Sequence, residues 1–172
     1  MPTSDQPPAL ADDNPFADAD DPFGPNLAVL LTLAAETFRT KVLTTLAEHG
    51  HSDLRSNDIV LLRLAATGRP TITELAELFG VTKQAMSQVV DSLATRGYVE
   101  RVRDPRDGRR VRLTLSPRGR QALTVAGTAR VTEERRVAAA LGPDTAAFLR
   151  GLRLLTDETS PTWLRMLGQL PE

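Results

Sequence analysis

Cysteine is absent from the 172 residues. That excludes disulfides, thiol nucleophiles, thiol redox sensing and cysteine-ligated zinc. Histidine occurs only at positions 49 and 51, too few for most metal or triad chemistry. The longest apolar stretch, around residues 27–35, is interrupted by Thr32 and is far too short to span a bilayer. No basic segment followed by an apolar one opens the chain, so it reads as cytoplasmic, without membrane contact. There is no G-x-x-x-x-G-K-S/T, no H-E-x-x-H and no G-x-S-x-G, and therefore no motif behind an enzyme and no cofactor to expect. Lysine is scarce as well, two against 19 arginines.

What is present is unevenly charged. The net charge of −1 conceals six aspartates and no basic residue within the first 25 positions, which also hold six prolines and no apolar periodicity. Such a segment reads as a flexible acidic arm, either an inert solubilising tail or a tethered competitor for basic surface. Beyond it the chain carries 21 basic against 16 acidic side chains, and residues 80–120 alone hold ten basic against four acidic. That window is a candidate phosphate-binding surface, although charge alone would equally describe a solvated basic face.

Apolar residues at Leu27, Leu30, Leu31, Ala34, Phe38, Val42 and Leu46 recur every three or four positions and predict a long amphipathic helix over 26–49. Ser56 is placed to cap a second helix through about Ala66, with Gly68 and Pro70 beyond its end. Thr71 and Glu74 fit a capping box opening a short helix that stops at Gly80. Thr82 then caps a further helix reaching Arg96, with Gly97 at its end. Two helices joined by a tight glycine-containing turn form a helix-turn-helix pattern.

On the second of these helices Ala85, Met86, Val89, Val90 and Leu93 share one side, whereas Gln84, Ser87, Gln88, Asp91 and Thr95 share the other. Amides and hydroxyls dominate a face where a merely solvated helix would more often carry Glu and Lys. Glutamine can pair bidentately with adenine in the major groove, and serine with several bases. Residues 98–103 read as a strand and 104–108 as a turn. Residues 109–115 alternate as a second strand, with Val111, Leu113 and Leu115 on one face. A basic hairpin after a helix-turn-helix is a wing, whose arginines can reach phosphate or an adjacent minor groove.

Ser116 and Pro117 cap and start another helix to about Ala140, with Leu123, Ala126, Val131 and Val137 among its apolar positions. Residues 142–144 break it. A last helix carries Phe148, Leu149, Leu152 and Leu155, and Ser160-Pro161 starts a short turn bearing Trp163. His49 and His51 lie in the loop after the first helix and read as two ordinary exposed histidines rather than half a metal site.

The stretch from Thr71 to Leu123 resembles the multiple-antibiotic-resistance regulator (MarR) family of winged-helix transcription factors. The likeness rests on "TITELAELFG", the helix ending "LATRGYVER", a wing of the form D-x-x-D-x-R and the "LSPRGRQAL" that opens the next helix. It implies a mainly α fold with a small β-hairpin wing, in which long dimerisation helices flank a winged helix-turn-helix. The implied division is an arm over 1–25, a dimerisation helix over 26–53, a DNA-binding domain over 54–115 and C-terminal dimerisation helices over 116–172. The resemblance also implies a homodimer on a pseudo-palindromic double-stranded operator, usually as a repressor released by a small-molecule effector. The DNA-contacting residues would be Thr82, Lys83, Gln84, Ser87, Gln88, Arg106, Arg109 and Arg110, with Asp104 and Asp107 holding the wing. Gln88 stands where the family often places an arginine, so its operator contacts differ there. The alternative is a winged-helix module without ligand control, working through protein contacts or as an architectural DNA coat.

Overall fold

The computed structural model describes residues 26–68, 70–103 and 111–156. In chain order it holds α1 (Leu27–Glu48), α2 (Ser56–Gly68), α3 (Ile72–Phe79), α4 (Lys83–Thr95), β1 (Val99–Arg103), β2 (Val111–Leu115), α5 (Pro117–Leu141), a 3-10 turn (Gly142–Asp144) and α6 (Thr145–Thr156). The chain divides into two compact units, Met1–Arg39 and Thr40–Glu172. The acidic arm, Arg69, the wing residues 104–110 and the segment bearing Trp163 lie outside the described residues.

In the first unit α1 starts at Asn26, whose Oδ1 accepts from the Val29 N–H at 3.1 Å, a bond that relieves one of the donors orphaned at a helix start. Thr32 and Thr37 donate to the carbonyls four residues back, each at 2.8 Å. Val29, Leu30 and Leu33 are exposed, Leu33 by 57%. These positions of the expected apolar stripe are therefore exposed rather than buried.

The second unit holds the core. Its largest wholly buried side chains are Leu46, Leu62, Leu75, Val90, Leu93, Tyr98 and Leu113, which come from α1, α2, α3, α4, the approach to β1, and β2. The core thus joins every element of the helix-turn-helix to the hairpin. Sequence periodicity placed Val90, Leu93 and Met86 on the inner face of α4, and all three are buried. Ala85 and Val89, assigned to the same face, are exposed, because α4 packs through a narrower stripe than five residues.

The caps follow the local chemistry. Thr71 and Glu74 form both halves of the capping box, the Glu74 N–H donating to Thr71 Oγ1 at 3.2 Å and the Thr71 N–H to Glu74 Oε2 at 2.7 Å. Gly80 takes φ +64 in the left-handed region, which only glycine enters without strain. Ser56 is not the cap expected of it. It is the first helical residue, and Asp58 Oδ2 accepts from the Arg55 N–H at 3.0 Å instead. The same helix runs on through Gly68 rather than ending at Ala66.

The hairpin is antiparallel, pairing Val99 with Leu115 and Arg103 with Val111. Tyr98, expected in the first strand, precedes it and is wholly buried. Thr71 bridges to Arg112, and the Leu113 N–H donates to the Pro70 carbonyl at 3.0 Å, so the start of α3 is stitched to the hairpin. Ser116 caps α5 as expected, its Oγ accepting from the Gly119 N–H at 3.0 Å. The buried residues of α5 are Gly119, Ala122, Ala126 and Ala129. Of the four apolar positions expected there, Leu123, Val131 and Val137 are only half-buried, since the close approach of the helix is made by its small residues. On α6, Phe148, Leu149 and Leu155 are exposed, and so is Leu154 at 79%.

Candidate nucleic-acid interface

The site is built on α3, α4 and the hairpin. Gly80 turns the chain out of α3, with its N–H and that of Val81 donating back to Ala76 O. Two residues later Thr82 accepts from the Ala85 N–H at 3.1 Å and opens α4. With Met86, Val90 and Leu93 buried, the opposite side of α4 must face outwards. Thr82, Lys83, Gln84, Gln88, Asp91 and Thr95 are exposed there, and Ser87 is half-buried. The structure therefore brings the five expected recognition-helix residues, Thr82, Lys83, Gln84, Ser87 and Gln88, onto one turn-and-a-half of exposed helix. The expected wing residues Asp104, Arg106, Asp107, Arg109 and Arg110 lie outside the described residues.

Arg101 on β1 reaches this face. Its Nη2 lies 2.6 Å from Asp91 Oδ1 and 3.4 Å from Ser87 Oγ. Sequence reading did not single it out. The signal was available in the alternation of β1, where Arg101 shares a strand face with the buried Val99.

Behind α4 sits a polar network that sequence reading missed. His51, expected to be exposed, is buried with 3% of its surface accessible. Its Nδ1 lies 3.2 Å from Tyr98 Oη, which donates its one proton to Asp53 Oδ1 at 2.6 Å and accepts from Arg118 Nη2 at 3.0 Å. With that proton committed, His51 Nδ1 must be the donor in its own bond, which assigns the neutral tautomer protonated at Nδ1. His51 Nε2 is then a buried lone pair without a hydrogen-bond partner among the described residues. Arg118 also lies over the Tyr98 ring, 4.5 Å from its centroid, and Arg96 Nη1 pairs with the buried Asp58 at 3.1 Å.

The electrostatics follow from these contacts. Burial and then the Arg118 charge lower the His51 pKa below its ordinary 6.5. Burial alone would raise Asp53, but the Tyr98 hydrogen bond, a bond from its own backbone and the Arg118 and Arg96 charges together bring it below 3.8. Burial, followed by the bond to Asp53, pushes Tyr98 up to about 12. The network ties the α1–α2 loop, the end of α4 and the start of α5 together, and so holds α4 at its rear.

A cleft of about 440 Å³ lies between α2, β2 and α5, lined by Ala65, Thr114, Leu115, Arg120, Leu123 and Thr124 among others. Arg120 is fixed at its edge by donating to the Leu115 carbonyl at 2.7 Å. No group of three or more metal-ligating side chains occurs among the described residues.

Residues 59–110 match the sequence model of the MarR family. The MarR family protein RV2887 of Mycobacterium tuberculosis, solved in complex with salicylic acid, is 31% identical. That match covers 77% of this chain and 98% of that one, with a TM-score of 0.55. The transcriptional repressor CouR, solved bound to a 23-mer DNA duplex, is 27% identical across 75% of this chain and 90% of its own, with a TM-score of 0.59. MarR is 25% identical across 87% and 98%, with a TM-score of 0.61. No curated protein sequence matches the chain.

Proposed function

The chain belongs to the MarR family of DNA-binding winged-helix transcription regulators, and we propose that it is a cytoplasmic homodimeric repressor, released from a pseudo-palindromic operator by a small molecule. The observation that carries the DNA reading is the outer face of α4. It offers two exposed glutamines at a spacing of four, with Lys83 at the helix start and Ser87 between them. Such a helix fits the major groove with base-reading amides towards the DNA. CouR, a relative, has been solved on duplex DNA, which supports the same use here. In this reading Arg106, Arg109 and Arg110 contact phosphate or the minor groove beside the helix, while Asp104 and Asp107 hold the wing. Members of the family are DNA-binding regulators rather than enzymes, and none of the described helices is long and apolar enough to cross a membrane.

The test is to select an operator from a random duplex pool with the purified protein and then compare variants on it. Gln84→Ala or Gln88→Ala is expected to cost about 1–3 kcal/mol on the operator and to relax its sequence preference. Arg106→Ala is expected to weaken operator and random DNA alike and to lower the salt slope by about one. If both glutamine variants keep full discrimination, α4 is not the reading helix.

Dimerisation rests on separate observations. The apolar faces over Val29–Leu33 and Phe148–Leu155 are each exposed among the described residues, and apolar areas of this kind are normally covered by a partner. A second copy would cover them through an isologous interface and place half-sites about 10–10.5 bp apart. These faces fall in the stretches read as dimerisation segments, 26–53 and 116–172, around a DNA-binding domain over 54–115. Sedimentation at micromolar concentration is expected to give a dimer, and a monomer would overturn the arrangement. The cleft beside Arg120 is the candidate effector site. It adjoins both β2 and α5, and its arginine suits a small anionic ligand. RV2887 was solved with salicylic acid, which supports a ligand of that size and charge.

A further inference from the structure

The recognition face contains one feature that reading DNA does not require. Asp91 places a carboxylate on the same side of α4 as Gln84 and Gln88, where a phosphate backbone would repel it. Arg101 offsets it from β1, with Nη2 2.6 Å from Asp91 Oδ1. Ser87 closes the cluster, accepting from Arg101 Nη2 at 3.4 Å and donating to Asp91 Oδ2 at 3.4 Å. The Arg101 and Asp91 side chains are 36% and 57% exposed. Ion pairs so open to water add little to folding stability, so stability alone gives this one little reason to exist.

We propose that Arg101 is a specificity-determining positioning residue of the DNA interface, resting on the reading that α4 lies in the groove. Paired with Asp91, its guanidinium is kept off the phosphates, where it would add affinity for any sequence. The same pair keeps the Asp91 charge from repelling the duplex and turns the Ser87 hydroxyl along the helix, leaving Gln84 and Gln88 to make the first choice of base. The cluster thus removes a cation from the sequence-blind part of binding, which is nearly all electrostatic.

The two single substitutions should then act in opposite directions. Asp91→Asn frees Arg101 for phosphate. Random duplex should bind about three- to fivefold more tightly at low salt, the salt slope should steepen by about one, and the ratio of operator to random affinity should fall. Arg101→Gln leaves Asp91 bare and should weaken both DNAs. The double variant D91N/R101Q has neither a free cation nor a free anion, and should return random-DNA affinity and salt slope to the parent values. A pair with only a structural role would move none of these readouts.

The experiment titrates the full chain and the three variants on the duplex selected by the parent protein and on random duplex, at two salt concentrations. Thermal melting serves as the check that each variant is folded. Unchanged random-DNA affinity and slope in Asp91→Asn would overturn the proposal. It would equally fall if Arg101→Gln and the double variant shared one slope lowered by about one, since Arg101 would then be an ordinary phosphate contact. Gln84→Ala and Gln88→Ala run alongside separate the two levels. If they lose discrimination while Asp91→Asn changes nothing, only the role of Arg101 fails. If they keep it, the placement of α4 fails and this proposal with it.

Discussion

Gly119→Ala is expected to destabilise the folded chain by about 3 kcal/mol, read as a lower denaturant midpoint at an unchanged m-value. A Cβ at this position would stand 2.0 Å from the Tyr98 carbonyl oxygen and 3.0 Å from its carbon. The obstacle is backbone, so no side-chain rotation can relieve it. That carbonyl is also engaged, accepting from the Ser116 N–H at 3.1 Å. Moving it would disturb the cap of α5, where Ser116 Oγ donates to the Gly97 carbonyl and accepts from the Gly119 N–H. It would disturb the start of the hairpin as well, since Val99 pairs with Leu115 directly beside it. DNA affinity should fall along with stability, because the hairpin and α4 meet at this point. Gly127→Ala on the same helix is the control. Among the described residues nothing beyond the helix's own backbone lies within 4 Å of a Cβ there, so it is expected to be neutral or to stabilise by about 0.5–1 kcal/mol through helix propensity. Equal effects at the two positions would show that the contact with Tyr98 is not what requires glycine at 119.

Tyr98→Phe is expected to cost about 1–3 kcal/mol at neutral pH, because it removes one hydroxyl that serves three partners. His51, Asp53 and Arg118 each lose a bond to Tyr98 Oη. Of the three, His51 is the one that water cannot readily satisfy, being buried. The pH profile supplies the specific readout. Tyr98 keeps its proton up to about 12 in the folded chain against 10.0 ordinarily. Its contribution is fully present below pH 10 and is lost as pH rises towards 12. The phenylalanine variant lacks that loss, so the stability gap between the two proteins should narrow above pH 10. The chain has a single tyrosine, so tyrosinate absorbance reports this group alone, and a folded-state midpoint near 10 would contradict the buried bond to Asp53. At the acid end the sign reverses. His51 is lowered from 6.5 in the folded state, so the unfolded chain takes up the proton first. Stability should therefore decline as pH falls below 6.5, and the Asp53 contribution should follow below 3.8.

The features legible in the sequence were those whose chemistry is completed within a few residues. The Thr71–Glu74 box, the stop at Gly80, the Thr82 cap and the Ser116-Pro117 start of α5 all close bonds over three or four positions. Residue type and spacing are sufficient to specify such bonds. The outward face of α4 was legible for the same reason, since helical periodicity alone sorts Gln84 and Gln88 away from Met86, Val90 and Leu93. Ser56 shows where local reading reaches its limit. It is a good capping residue one position too late, and Asp58, which accepts from the Arg55 N–H and pairs with Arg96 from 38 residues away, decides where α2 begins.

By itself, then, the sequence determined where α3, α4 and α5 start, which side of α4 looks outward, and that a winged helix carries a basic window. Those properties depend on torsional preference and on periodicity, both local to the chain. Only the tertiary structure decided that His51 is buried, that Tyr98 joins Asp53 to Arg118, that Gly119 admits no side chain, and that Arg101 is held by Asp91. The Tyr98 contacts cross sequence separations of 47, 45 and 20 residues, and the contact of Arg101 with Ser87 crosses 14. Such contacts are set by how α4, the hairpin and α5 close around the shared core of Leu46, Val90, Leu93 and Leu113. A polar residue's type records that it needs a partner, but only the packed core determines which partner comes within reach.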